Sequence, residues 1–359
     1  MRSGFIDNMR IGPIKFTLAL TVLLAAVSCD NTEHHILTVD YGECPVPDSL
    51  SPIAMSVEMG PSTRSVDPLT TPNLTSFDVM SIWNYNGSAA NKWYLRGQEV
   101  TKPSTVWTTT PPSYWTVTGN LSFFMYTPKA SANIVPVYPV SGMPGITYTA
   151  STTDISNQPD LCIARPVLNA TKEIGPVPAV FHHALTQILF DMNYKGTPPS
   201  GYSVKIERVR LINIIATRTA TFTTVAPYFE WSGGTADATY ELNTSTGHLR
   251  DDYIPKSPAL EVPVQNSLGR LYLLPQTLDP SAHIEITYGF YDTAPDPDVR
   301  KAEITKVVSI PSPSEWPANR TIRYKITVDV GASSPVTLTG YSIDDWTESG
   351  SVHTNVEFD

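Results

Sequence analysis

The chain has 359 residues, a formal net charge of −10, 32 prolines and a charged fraction of only 16%. Proline breaks helices while the abundant β-branched and aromatic side chains suit pleated sheets, so the composition predicts an all-β protein, and the length suits about two domains. The acidic balance, without basic clusters, excludes a nucleic-acid-binding protein, because such affinity depends on Lys and Arg that neutralise phosphates.

Residues 1–28 have the features of a lipoprotein signal peptide. Arg10 and Lys15 precede an apolar run at 16–27, and the small residues of "AVSC" lead to Cys29. The run is shorter than the roughly 20 residues of a membrane-spanning helix, which favours a signal. The pattern resembles a lipobox, so we expect Cys29 to be lipidated as the mature N-terminus. A plain secretory signal is the alternative, and Met9 is an equally good start.

Residues 29–52 are polar and contain prolines, which predicts a tether between the lipid and the folded body. A short alternation follows, with small or polar residues between four apolar side chains: Ile53, Met55, Val57 and Met59. This period of two predicts a half-buried first strand.

Arg64 and Ser65 follow the first strand in a small-residue loop between two prolines. Prolines keep such a loop out of a sheet, and this leaves it accessible to a protease. On spacing alone, an ordinary solvated arginine is the simpler interpretation.

Further strands are predicted along the rest of the chain wherever apolar runs or alternations end at turn residues. They fall at 76–87, 119–128, 145–152, 202–211, 270–276, 283–292, 321–330, 336–343 and 352–358. Their spacing predicts two tandem antiparallel β-sandwich domains, 53–170 and 171–359, divided by a change of composition near 165–178. The run at 179–193 fits either a helix or a buried strand.

No catalytic motif, phosphate loop or zinc spacing is present in the sequence, so we predict neither an enzyme, a cofactor nor a metal site. His182 and His183 are the strongest reactive candidates, although a structural histidine is the commoner interpretation of such an apolar run. Cys44 and Cys162 have no spacing signature, and separate buried thiols are at least as plausible as a disulfide.

Other residues leave a second class of function open. Asp344 and Asp345 are adjacent and would diverge on a strand, which favours a turn or a solvated edge over acid–base catalysis. Four tryptophans could stack on sugars, although most aromatic residues in β-sandwiches belong to the core; these are Trp83, Trp93, Trp107 and Trp115. The alternative to a structural protein is therefore a glycan-binding surface lipoprotein of a nutrient-uptake system.

The order of these features resembles the fimbrillins, or type V pilins, of gut and oral anaerobes, including their Mfa-like branch. The matching segments are the lipobox cysteine, "IAMSVEM", "STRS", "DVMSIWNYNG", "FHHALTQILF", "YLLPQTL", "RYKITV" and "IDDWTESGSVHTNVEF". The C-terminal tail departs from the pattern, because Asp344, Asp345 and Glu348 interrupt its apolar alternation.

The resemblance implies transthyretin-like β-sandwiches, a lipid anchor in the outer membrane, and a place in a surface fimbrium that supports adhesion. It further implies that an arginine-specific protease cuts between Arg64 and Ser65 and so removes the first strand. A C-terminal strand of the next subunit would then fill the groove; the candidate donor side chains are Val336, Leu338, Val352, Val356 and Phe358. The implied partners are other pilin subunits, the protease and a receptor on a host or bacterial surface.

Overall fold

The computed structural model describes residues 45, 47–59, 73–85, 87, 89–155, 158–243, 260–261, 271–294, 298–310, 315–330, 336–345 and 354–357. Apart from short 3-10 turns, every regular element among these residues is a β-strand, which confirms the all-β prediction. Within the same residues, no helix is long and apolar enough to cross a membrane.

The amino-terminal half of the chain contributes twelve described strands and a 3-10 helix at Lys172–Ile174. The strands are β1 (Pro47–Pro52), β2 (Ala54–Met59), β3 (Ser76–Asn84), β4 (Lys92–Thr101), β5 (Trp107–Thr109), β6 (Tyr114–Thr116), β7 (Asn120–Thr127), β8 (Ile134–Val137), β9 (Gly145–Thr149), β10 (Cys162–Ala164), β11 (Val167–Ala170) and β12 (Val177–His183).

The carboxy-terminal half contributes the remaining described strands. They are β13 (Thr186–Lys195), β14 (Tyr202–Ile215), β15 (Thr217–Phe222), β16 (Phe229–Ser232), β17 (Ala236–Asn243), β18 (Leu260–Glu261), β19 (Leu271–Leu273), β20 (Gln276–Thr277), β21 (His283–Asp292), β22 (Val299–Ser309), β23 (Glu315–Trp316), β24 (Arg320–Asp329), β25 (Val336–Asp345) and β26 (Thr354–Glu357).

The first sheet closes on itself. Its strand order is β10-β12-β2-β5-β4-β3-β7-β11, and β10 pairs with β7 as well as with β12. The short strand β10 therefore joins the two ends of a ring that runs through β12, β2, β5, β4, β3 and β7. β12 belongs to this sheet although the predicted domain division placed residues from 171 onward in the second domain.

The remaining strands form a six-stranded sheet (β18-β13-β24-β25-β26, with β19 on β13) and two four-stranded sheets (β17-β14-β21-β22 and β16-β15-β9-β8). Two short two-stranded pairs, β1-β6 and β20-β23, complete the pairing. Sheets packed in layers are consistent with the predicted β-sandwich domains.

Alternate side chains of one strand supply two separate hydrophobic cores. On β7, Phe123 and Met125 belong to the core inside the first sheet, whereas Phe124 and Tyr126 belong to the larger core shared with the other sheets. Since successive side chains on a strand point to opposite faces, a strand buried on both faces must be apolar throughout. This explains why β7 is apolar along most of its length.

Two strand pairs are parallel, which differs from the predicted antiparallel pairing. β2 runs parallel to β12, and β13 runs parallel to β24. Parallel neighbours require a long connection between them, and in both pairs the two strands are far apart in the chain.

Candidate functional site

The first strand of the first sheet, β2, lies between two neighbours. It pairs with β12 in parallel register from Met55↔Val177 to Met59↔Phe181, and with β5 in antiparallel register at Ala54↔Thr108 and Met55↔Trp107. β2 is therefore an interior strand of the sheet and not an edge strand.

The apolar side chains of this strand point into the core, as the alternation predicted. Ile53, Met55 and Met59 are 1%, 3% and 8% exposed, and Val57 packs against the same core while partly buried. Ser56 and Glu58, on the other face, are exposed.

Aromatic rings line the space that β2 covers. Phe77 contacts Phe181 edge to face at 5.2 Å between ring centroids and lies 5.6 Å from Trp107. Trp107 and Phe181 belong to β5 and β12, the two strands that flank β2. We call this space, between β5 and β12, the β2 groove.

The chain ahead of β2 is also docked on the sheet. Residues 47–52, which the sequence assigned to the tether, form β1 and pair with β6. The Asp48 carboxylate accepts hydrogen bonds from the Ser51 hydroxyl at 2.9 Å and from the Leu50 N–H at 3.2 Å, and forms an ion pair with Lys172 at 3.3 Å. These hydrogen bonds, the one from Ser51 foremost, lower the pKa of Asp48.

Several predicted site residues lie outside the described part of the chain. They are Cys29, Cys44, Arg64, Ser65, Val352 and Phe358. Lipidation of Cys29 and cleavage after Arg64 therefore stay predictions.

The candidate donor segment pairs with its own sheet. β25, which contains Val336 and Leu338, aligns with β24 from Arg320↔Asp345 to Val328↔Val336. β26, which contains Val356, aligns with β25 at only four positions and lies at the edge of that sheet. The outermost part of the tail is thus held by the shortest pairing.

Most of the candidate sugar-stacking tryptophans are core residues. Trp83, Trp107 and Trp115 are 2%, 7% and 4% exposed. Trp93 is partly buried, with its ring edge to face with Tyr138 at 5.0 Å. Trp107 and Trp115 therefore offer no open face to a glycan.

The two adjacent histidines lie on opposite faces of β12. His183 is buried, whereas His182 is partly exposed and lies 5.6 Å from the Tyr228 ring. Burial lowers the pKa of His182, and its neighbour His183 lowers it further. Cys162, on β10, is a free and fully buried thiol.

Sequence reasoning found β2 but missed the strands that flank it. β5 has only three residues, and β12 lies in the ambiguous run that we could not assign to helix or strand. The proline-bounded start of "VPAVFHH", with alternate burial along it, is the signal that could have separated β12 from the strand that follows.

The chain belongs to the fimbrillin-like family, whose model matches residues 63–346. The match confirms the family resemblance read from the order of its motifs. A search of proteins with curated descriptions finds no match.

Solved structures share this architecture. A fimbrial protein from Bacteroides vulgatus is 17% identical, with a TM-score of 0.60, over 82% of this chain and 99% of that one. A putative cell adhesion protein from Bacteroides uniformis is 14% identical, with a TM-score of 0.46, over 82% and 99% of the two chains. The tip fimbrial protein Mfa3 from Porphyromonas gingivalis is 12% identical, with a TM-score of 0.34, over 76% and 94%.

Proposed function

We propose that this protein is a fimbrial subunit or accessory pilin, exported as a lipoprotein to the outer membrane and assembled on the cell surface by protease-triggered strand exchange. Membership of the fimbrillin-like family supports the fimbrial role, and the neighbouring solved structures include fimbrial and adhesion proteins. In this role its partners are other pilin subunits, an arginine-specific protease, and a receptor on a host or bacterial surface.

One observation carries the strand-exchange part of the proposal: β2 is an interior strand that precedes the rest of its sheet in the chain. Its removal would leave unpaired backbone groups on both β5 and β12 and would open the closed ring. Unpaired strand edges bind extended segments of other chains, which is the physical basis of strand addition.

The burial of β2 is large enough to act as a switch. Three buried side chains at about 1.5–3 kcal/mol each give about 5–9 kcal/mol, as an upper estimate. A whole domain is stabilised by about 5–15 kcal/mol. A subunit without β2 therefore needs another strand in the β2 groove, and this need drives assembly.

The donor that fits this proposal best is the outer end of the tail. β26 and the residues around it can leave the sheet at the cost of one short pairing, while β25 stays paired with β24. Of the candidate side chains, Val356 lies in this outer segment, whereas Val336 and Leu338 lie in β25.

The proposal is tested by replacing the arginine at the predicted cleavage site. Arg64→Ala should block maturation and leave the uncut precursor as a monomer on the cell surface, whereas Arg96→Ala, at an exposed position on β4, should mature normally. Immunoblots and electron microscopy of surface extracts report both results. Normal fimbriae from the Arg64→Ala variant would refute the proposed switch.

A further inference from the structure

Three residues with metal-binding side chains lie together inside the first sheet. Cys162 on β10 is directly opposite His183 on β12, and Asp160 precedes Cys162 by two positions. Asp160, Cys162 and His183 are 7%, 0% and 3% exposed. The sequence gave no warning of this cluster, because strand pairing and not local spacing brings His183 to the other two.

The three side chains converge on one atom. His183 Nδ1 is 2.9 Å from Asp160 Oδ2, 3.1 Å from Asp160 Oδ1 and 3.4 Å from Cys162 Sγ. The ligand atoms of all three residues lie within 4.8 Å of one another. A ring nitrogen carries one proton or one lone pair, so a well-aligned hydrogen bond to the carboxylate leaves none for the thiol.

These distances match the edges of a zinc coordination tetrahedron. Typical Zn–N, Zn–O and Zn–S bonds of about 2.0, 2.1 and 2.3 Å place N and O about 3.4 Å apart and N and S about 3.6 Å apart. The distances from Nδ1 to oxygen and to sulfur are a few tenths of an ångström shorter, so a small outward shift of the side chains would admit the ion.

Charge balance also favours a divalent cation at this position. A thiolate and a carboxylate together cancel the charge of Zn²⁺, and a neutral imidazole adds none. The resulting site is neutral, which matters because the residues lie beside an apolar core where an uncompensated charge is costly. Thiolate and imidazole together suit zinc better than magnesium or calcium.

We propose that Asp160, Cys162 and His183 bind one zinc ion that ties β10 to β12. Burial raises the pKa of the Cys162 thiol well above its usual value, and Asp160 raises it further, so the thiol is protonated until the metal binds. Binding therefore forms a Zn–S bond and releases the thiol proton to solvent, which makes zinc affinity rise with pH.

The position of the ion has a consequence that rests on the proposed function. β12 pairs with β2 on one side and with β10 on the other. If β2 leaves, zinc still fastens β12 to β10, and one wall of the β2 groove keeps its place for the incoming strand. Zinc binding itself does not depend on strand exchange, so the two ideas can fail separately.

The test measures zinc in the full-length purified protein after loading and exhaustive dialysis. We expect about one zinc per chain in the wild type and at least about tenfold less in Cys162→Ser and His183→Ala. His182→Ala is the matched control, because His182 lies on the opposite face of the same strand, and Cys44→Ser controls for the other thiol outside the leader. Both controls should retain the metal.

Cobalt provides a second measurement that needs no variant. Co²⁺ bound through Cys162 should give an intense near-ultraviolet thiolate-to-cobalt absorption band, with visible bands typical of tetrahedral coordination. The band should be absent from Cys162→Ser, whose fold circular dichroism will report. A wild-type protein that retains no zinc and shows no thiolate–cobalt band would overturn the proposal, as would variants that bind as much zinc as the wild type.

Discussion

Met55 lies opposite Val177 in the parallel pair that β2 forms with β12, although the two residues are far apart in the chain. No local turn connects the two strands. Within the chain, β2 is joined to the rest of the sheet only through the segment at 60–72, which contains Arg64. A single cut in that segment would leave β2 held by backbone pairing and side-chain burial alone.

The first prediction concerns the burial of β2. Met55→Ala should lower the free energy of unfolding by about 2–5 kcal/mol, because it removes a buried side chain and leaves a cavity. Glu58→Ala, on the exposed face of the same strand, should change it by no more than about 0.5 kcal/mol. Urea unfolding of the uncut protein measures both. Equal effects of the two substitutions would show that β2 is not packed as described.

The second prediction separates the two C-terminal strands. A chain truncated after Asp345 should keep its thermal stability within a few degrees, because β25 still covers β24. It should nevertheless fail to join the next subunit if the outer tail is the donor. Size-exclusion chromatography of cut subunits reports assembly, and a truncated chain that polymerises normally would place the donor elsewhere.

The third prediction is a pH dependence that comes from Asp78. This residue is buried, and its Oδ2 accepts hydrogen bonds from the Tyr126 hydroxyl at 3.0 Å and the Ala130 N–H at 2.8 Å. Burial raises its pKa despite these bonds. A raised folded-state pKa favours the folded state below the unfolded value of 3.8, and this contribution is lost as pH rises through the folded-state pKa.

Asp78→Asn provides the comparison for that titration. The amide oxygen can accept the same two hydrogen bonds without a charge. The variant should therefore gain stability relative to the wild type as pH rises from about 3 towards 7, as measured by chemical unfolding at each pH. A constant difference between the two proteins across this range would assign no titration to Asp78.

The strands with clear alternation were predictable because one of their faces is buried and the other is wet. In β24, Ile322, Tyr324, Ile326 and Val328 are at most 1% exposed, as the alternation predicted. The strand β3 was also found, because its apolar run ends at an Asn-Gly turn.

The run at 179–193 was not predictable in the same way. It forms the end of β12 and most of β13, separated at Ala184 and Leu185, and not one helix or one strand. β13 is buried on both faces over its first five residues, so it shows no period of two. Its parallel partner β24 and the parallel pairing of β2 with β12 join distant parts of the chain, for which a single sequence carries no local signal.

The candidate site divides in the same manner. Ile53, Met55 and Met59 could be named from the sequence because their burial follows from local periodicity. The strands that form the walls of the β2 groove, and the convergence of Asp160, Cys162 and His183, depend on pairings between distant segments.

Mass spectrometry of the N-terminus of the protein extracted from the cell surface tests the central claim most directly. We expect assembled material to begin at Ser65 and to lack the peptide that contains β2. A mature protein that begins at lipidated Cys29 and retains residues 53–59 within assembled fimbriae would contradict protease-triggered strand exchange.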